Sequence, residues 1–242
     1  MTRTFIAHSP MGDQLEFRSL EGSEQISRLF EHRVRMISQS ASISAKALLG
    51  KDLSIEIDLT TEVGGGGKRF ISGQVTQFTY IGRDGDFYSY EAVLRPWLWH
   101  ATRRSDFKIF QFKKVPDIIQ EVLGPYGFSI ENKLTGSYRT WDYIVQYGET
   151  DLAFLTRLWS EEGIFFFDRH VADTQTLTLC DDMAGLSRTD EIPFNPNPTT
   201  TLLPLTVSTF SYQAQIRPSS VETQDYTFKV PGWPAYYGCD GE

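Results

Sequence analysis

Cysteine is nearly absent from this chain: there are two in 242 residues, Cys180 and Cys239. They stand far apart and lack the clustered spacing of a zinc site or a disulfide framework, so two free thiols are expected. Histidine is scarce as well. His8, His32, His100 and His170 are scattered singly, with no HExxH helix and no neighbouring pair to share a metal, and each is expected to be an isolated surface or half-buried side chain. Positive charge is in deficit, with 23 Lys and Arg against 31 Asp and Glu and a formal net charge of −8. That balance opposes attraction to phosphate backbones and anionic membranes. No apolar run approaches the ~20 residues of a membrane-spanning helix. The opening Met1-Thr2-Arg3-Thr4-Phe5-Ile6-Ala7-His8 turns polar too soon for a signal peptide, so folding in the cytoplasm is expected.

Motifs of common chemistries are missing too. No Gly-x-Ser-x-Gly turn supports a nucleophilic serine. Gly64-Gly65-Gly66-Gly67-Lys68 lacks the first glycine of a phosphate-binding loop, has Arg69 where Ser or Thr would hold magnesium, and opens no helix; it reads as a flexible hairpin tip. What is present is an apolar fraction of 40%, enough for the core of one large or two ordinary domains.

From Lys51 to Leu94 the pattern has period two. Leu53, Ile55, Ile57 and Leu59 alternate with Asp52, Ser54, Glu56 and Asp58 as in a half-buried antiparallel strand. Gln74 to Ile81 and Phe87 to Leu94 predict a second pair around a Gly82–Asp86 loop, with Tyr88, Tyr90, Ala92 and Leu94 on one side. Together with Phe5, Leu15 to Leu20 and His32 to Met36 these segments predict a small closed or nearly closed β-barrel. Strands return at Thr176 to Cys180, Leu205 to Phe210 and Val221 to Val230. The intervening Ile192–Pro198 stretch is too rich in proline for regular structure.

Two helices are marked between them. Pro116 opens the first, Ile118, Ile119, Val122 and Leu123 share a face, and Gly124 ends it. Lys114 stands where a capping Ser or Thr is usual, a loss of about 1 kcal/mol. Glu149, Thr150 and Asp151 cap the second, Phe154, Leu155, Leu158 and Trp159 recur at helical spacing, and Gly163 stops it.

Candidate sites read as structural. Arg103, Arg104, Lys108, Lys113 and Lys114, interleaved with Phe107, Phe110 and Phe112, predict an amphipathic strand with solvated lysines rather than a single-strand nucleic-acid groove. Glu161 and Glu162 end a helix, where the macrodipole disfavours them, and Arg157, one turn before Glu161, is the expected partner. As an acid/base pair they fail, because adjacent helical residues point about 100° apart. Asp181-Asp182 reads as a turn rather than a cation site. Trp97 and Trp99 alternate on what is expected to be a strand, as core or subunit contacts.

Arg95-Pro96-Trp97-Leu98-Trp99, Val115-Pro116-Asp117-Ile118-Ile119, and Tyr147-Gly148-Glu149-Thr150-Asp151 with Phe154, Arg157, Leu158 and Glu162-Gly163-Ile164 resemble the VgrG family, the spike of the bacterial type VI secretion machine. Leu29-Phe30, Leu48-Leu49-Gly50-Lys51, Gly73-Gln74-Val75-Thr76, Leu179-Cys180-Asp181-Asp182 and Asp225-Tyr226-Thr227-Phe228 extend the likeness over nearly the whole chain. The resemblance implies a mixed α+β, mainly β fold: two phage tail-hub-like β-barrels, the second incomplete, joined by a small helix-containing α/β segment. Residues 1–95 would be the first barrel, 96–168 the helical segment and 169–242 the start of the second barrel. It implies a structural hub, not an enzyme, with no catalytic, cofactor-binding or metal residues. Its partners would be two further copies in a homotrimer, the inner-tube hexamer protein, a needle-tip protein, effectors and adaptors, and it would be exported at the apparatus tip. No nucleic acid is expected, and a missing C-terminal needle would pierce the target membrane. A barrel cut partway exposes unpaired edges, so a monomeric or weakly associated fragment is expected. The alternatives are a cell-wall or polysaccharide hydrolase using Glu161, Glu162, Asp181 or Asp182, and an effector- or adaptor-binding module.

Overall fold

The computed structural model describes residues 5–59, 67–172, 174–186, 192–197, 206–216, 218–224, 226, 231–232 and 236–240. They divide into two compact units, one holding the described residues up to 186 and the other those from 192 onward.

The first unit begins with six strands, β1 (Phe5–His8), β2 (Glu16–Ser23), β3 (Glu31–Ser38), β4 (Asp52–Asp58), β5 (Lys68–Asp84) and β6 (Phe87–Arg95), with a one-turn helix α1 (Ala45–Leu48) before β4. They form one antiparallel sheet in the order β1-β4-β5-β6-β3-β2. The sheet curls until its edges face each other: the Phe5 and Phe17 rings stack at 5.3 Å, although no ladder joins β1 to β2. Bulges at Val75/Gln77 and Tyr80/Gly82 let the long β5 bend around the core. Inside lie Val34, Met36, Leu53, Ile55, Val75, Tyr90, Ala92 and Leu94, with Tyr88 packed against them, so the alternation chose the inward face correctly.

Two details differ from the sequence expectation. The β5–β6 turn is only Gly85-Asp86, with Gly85 left-handed at φ +60°, because pairing continues to Asp84↔Phe87. Strand β4 is also buried on both faces: Ser54 and Glu56 are 1% and 7% exposed. A second layer covers its polar side, where Ser54 and Ser72 hydroxyls meet at 2.7 Å and Ser72 Oγ donates to the Val171 carbonyl at 2.7 Å. Of the glycine-rich tip, residues 64–66 lie outside the described residues, while the Gly67 carbonyl accepts from the Leu59 N–H at 2.9 Å. Lys68 begins a strand, with Nζ 2.7 Å from Glu56, which is no place for a phosphate-loop lysine.

The helical segment holds β7 (Ser105–Lys113), α2 (Val115–Leu123), β8 (Ile130–Lys133), β9 (Trp141–Thr150), α3 (Asp151–Glu162), β10 (Phe165–Val171) and β11 (Thr174–Cys180). Strands β7 and β9 pair antiparallel, and β10-β11-β8 make the covering layer. Trp97, Phe110, Ile118, Phe154, Leu158, Trp159 and Phe166 fill one core between them. Trp97 and Trp99 lie not on a strand but on a 3-10 turn, Trp97–Thr102, which Pro96 introduces. Trp97 is core; Trp99 faces the Arg95 and Arg103 guanidiniums at 5.6 and 5.0 Å. Gly124 closes α2 but stays right-handed. Pro125 carries the chain into a 3-10 turn, and Gly127 supplies the left-handed residue at φ +72°. At the other end the Asp117 carboxylate accepts from the Lys114 backbone N–H at 3.4 Å, replacing part of the missing cap.

After β11, Asp181 organises a loop, as its sequence suggested. Its carboxylate accepts from the Thr135 N–H and hydroxyl, the Gly136 N–H and the Tyr138 hydroxyl, all within 3.1 Å. Burial alone would raise its pKa; the Tyr138, Thr135 and Gly136 donors overcome that and hold it at about 2. Asp182 caps the next turn by accepting from the Ala184 N–H at 2.8 Å. Because Asp181→Ala leaves these donors without an acceptor, it is expected to lower stability by about 2 kcal/mol in urea denaturation. A depressed carboxylate pKa stabilises above the unfolded value of 3.8, so the deficit should be constant at neutral pH and shrink as pH falls from 3.8 toward about 2.

In the second unit β12 (Ser220–Gln224) pairs antiparallel with β13 (Tyr236–Asp240), and Phe194 of the proline-rich arm bridges Val207. The Leu205–Phe210 strand expectation reduces to that single bridge within 206–210, since prolines on the arm cannot extend a ladder. The Val221–Val230 strand ends at Gln224, and residues 225 and 227–230 lie outside the described residues.

Candidate functional site

The motif Tyr147-Gly148-Glu149-Thr150-Asp151 runs from β9 into α3, and each residue has a distinct task. Thr150 Oγ1 accepts from the Ala153 N–H at 3.2 Å and caps the helix. Asp151 is 3% exposed. Its carboxylate accepts from the Tyr126 hydroxyl and from Gln146 Nε2, each at 2.8 Å, and its N–H donates to the Arg104 carbonyl at 2.9 Å. Burial and this carboxylate push the Tyr126 hydroxyl far above its ordinary pKa, which keeps it a donor. One residue, through its carboxylate and its backbone N–H, thus ties α3 to β9, to the turn after α2 and to the residue just before β7.

The expected Arg157–Glu161 pair does not form. Arg157 reaches back to Glu149 at 2.5 Å and to the Val145 carbonyl at 3.1 Å, clamping the helix to β9. Arg139 instead answers the helix end, lying 2.6 Å from Glu161 and 3.7 Å from Glu162, with its guanidinium 3.3 Å over the Trp141 ring. Trp141 Nε1 donates to Glu162 at 3.0 Å. Gly163, left-handed at φ +71°, lets Ile164 N–H close on the Trp159 carbonyl at 2.8 Å. Phe154, Leu158 and Ile164 are buried, Pro116 opens α2, and Arg95 donates to Glu31 and to Thr76 Oγ1. The motif residues therefore gather mostly around α3, with Arg95 and Trp99 at the end of the barrel.

What this anchor presents is the outer face of β7 and β9. The amphipathic strand is there, but inverted. Phe107, Ile109, Tyr143 and Tyr147 are 63–79% exposed and share one face with Val145, while Phe112 at the end of β7 is 75% exposed. The lysines are not free: Lys108 and Lys113 both pair with Glu121 on α2, and Lys108 also lies 5.0 Å from the Phe110 ring. Those two lysines hold the Glu121 carboxyl below its usual range, Lys108 foremost. Phe107 meets Tyr147 edge-on at 5.2 Å, and Gly148, at φ +64°, lies against the Phe107 ring; a Cβ there would come within 2.9 Å of it. The result is a firmly backed, two-stranded apolar ribbon, the kind of patch that marks an interaction surface.

No carboxylate pair is poised for hydrolysis among those the sequence singled out, because Glu161, Glu162, Asp181 and Asp182 are each spent on the contacts above. Cys180 is a free, buried thiol, and the Cys239 side chain lies outside the described residues. His8 pairs with Glu56 at 2.9 Å and His100 with Gln74 at 2.6 Å. The expectation of isolated histidines is overturned at His32 and His170, which the two sheets bring together around Glu24. No sequence signal marks that meeting. For the ribbon there was one, the alternation of Phe107 and Ile109 with Asp106 and Lys108, but it could not say which face the protein covers.

Residues 23–237 match the phage tail baseplate hub (GPD) family. Over 96% of its length the chain is 37% identical to the type VI secretion system spike protein VgrG1c and 35% identical to VgrG1a, both of Pseudomonas aeruginosa. It spans 32% and 36% of those proteins, about a third of each. Among solved structures, the E. coli c3393 protein matches 81% of this chain, with 53% of its own chain covered, at a TM-score of 0.65 and 26% identity. It is described as a component of the type VI secretion system with structural similarity to the T4 bacteriophage tail proteins gp27 and gp5.

Proposed function

Because the chain belongs to the phage tail baseplate hub family and is similar along nearly all its length to VgrG spike proteins, we propose that it is the hub of a cell-puncturing spike, joining the inner tube to the membrane-piercing needle. It works as a homotrimer. Residues 1–95 form the first barrel, 96–168 the connector and 169–242 the approach to the second barrel, with β11 still in the layer it shares with β10 and β8. Its partners are the inner-tube hexamer protein, a needle-tip protein and the effectors or adaptors carried with the spike, and it leaves the cell with them. The task is to pass thrust without making or breaking a bond. A curled sheet, a second layer hydrogen-bonded across it and a clamped helix suit that task.

The observation that carries the reading is the aromatic ribbon. A chain of net charge −8 repels its own copies, and a face built of Phe107, Ile109, Tyr143, Val145 and Tyr147 is an uncharged surface on which copies can meet. Closed rotational symmetry then repeats that contact around the ring. The protein as its own cell makes it is expected to sediment as a trimer; a monomer at micromolar concentration would refute the assignment.

A further inference from the structure

Glu24 leaves β2, His32 sits on β3 of the curled sheet, and His170 sits on β10 of the covering layer. His32 Nε2 lies 2.9 Å and His170 Nε2 3.3 Å from the same oxygen, Glu24 Oε1. One ligand atom from each residue falls within 4.8 Å of the other two. Both imidazoles are over nine-tenths buried, at 5% and 9% side-chain exposure, whereas Glu24 is 42% exposed and opens the cluster to solvent.

The two rings are held in fixed positions. His170 Nδ1 is fixed on the Ser72 backbone, 2.9 Å from the carbonyl and 3.0 Å from the N–H. Nδ1 takes one role there at a time: accepting from the N–H, it leaves the Nε2 proton directed at Glu24; donating to the carbonyl, it frees the Nε2 lone pair for the cluster, the second-shell arrangement usual for a metal-bound histidine. Despite its proximity to Glu24, Nε2 of His170 makes no hydrogen bond at all, and it is buried. His32 is locked from behind. A Cβ on Gly22 would stand 2.1 Å from its Nδ1, so only glycine allows the ring to lie there. Phe30 packs against both imidazoles, its centroid 4.9 and 5.0 Å from theirs, and the imidazoles meet edge-on at 6.0 Å.

We propose that Glu24, His32 and His170 bind a divalent transition-metal ion of the zinc class, which clips the curled sheet to the covering layer. Two imidazole nitrogens and one carboxylate oxygen are the borderline donor set that zinc takes. Bonds of ~2.0–2.1 Å at tetrahedral angles place neighbouring donors about 3.3 Å apart, against 2.9 and 3.3 Å for the two imidazole–carboxylate pairs, with the imidazole–imidazole pair inside 4.8 Å. Glu24, the partly exposed member of the trio, also lines a cleft with Phe30 and Asp168, so the cluster borders on solvent through it. This goes beyond the hub reading, and it stands whether or not the chain trimerises.

The test is to strip the full chain with chelator and titrate zinc by calorimetry, with cobalt(II) as a visible probe. One ion per chain should bind, cobalt should give the intense visible absorption of a four-coordinate nitrogen–oxygen site, and the melting temperature should climb with zinc concentration. Glu24→Gln, a near-isosteric change on a partly exposed side chain, and His170→Ala should each weaken zinc binding at least about tenfold, while His8→Ala should leave it unchanged. Absence of zinc binding by the wild type would overturn the proposal. So would binding that survives both Glu24→Gln and His170→Ala, or that disappears in His8→Ala. Should His170→Ala fail to fold, Glu24→Gln still decides, because its near-isosteric change on a partly exposed side chain leaves the fold in place.

Discussion

Substituting aspartate for Phe107 and Tyr147 together is expected to convert the assembled protein into monomers while leaving each protomer folded. Both side chains are more than 70% exposed, so the protomer gives up little by their loss. An interface loses much more. Buried aromatic anchors of this kind contribute about 2 kcal/mol or more each, and a carboxylate forced into an apolar contact adds a desolvation penalty. Losing about 4 kcal/mol per contact corresponds to roughly a thousandfold weaker association. Sedimentation of the double variant beside wild type measures it, with circular dichroism to confirm that the fold is kept. A Phe107→Leu/Tyr147→Phe variant keeps the apolar face and should remain assembled.

The second large effect lies beneath that face. Asp151→Ala is expected to destabilise the first unit by about 3 kcal/mol or more, because it leaves the Tyr126 hydroxyl and the Gln146 amide without an acceptor in the interior. For a unit of this size that corresponds to a fall of roughly 6–12 °C in melting temperature. Asp151→Asn keeps one acceptor oxygen and should lose less. If Asp151→Ala melted with wild type, the junction would not depend on the carboxylate. Because the ribbon rests on β9 and β9 rests on this junction, loosening Asp151 should also weaken assembly, through position rather than contact.

The sequence made some of this legible and hid the rest for physical reasons. Helix α3 could be read because capping, apolar spacing and a terminal glycine are local and all agree. Its ion pairs could not. The one-turn spacing favoured Arg157 with Glu161, whereas Arg157 turned toward Glu149 on the neighbouring strand and left the helix end to Arg139. Period two announced β4, and the interleaved basic and aromatic residues announced an amphipathic strand at β7, but neither pattern said what covers each face. On β4 the polar side is buried under β10 and β11, and on β7 the aromatic side is bare. Trp97 and Trp99 show how two residues of alternation mislead when Pro96 sets up a 3-10 turn instead. The Glu24, His32 and His170 cluster joins residues from both ends of the first unit, and only the stacking of the two sheets creates it.

The central claim is that this chain is the hub of a contractile spike, and export of the tube measures it most directly. In the source bacterium the gene is deleted, and inner-tube protein released into the medium is quantified by blot. The same assay is repeated with the wild-type gene restored and with the Phe107→Asp/Tyr147→Asp version. The account predicts release in the wild type, none in the deletion, recovery with the restored gene and none with the double variant. Undiminished release from the deletion strain would contradict it, unless a second spike gene in the same genome supplies the hub, which deleting that gene as well would expose.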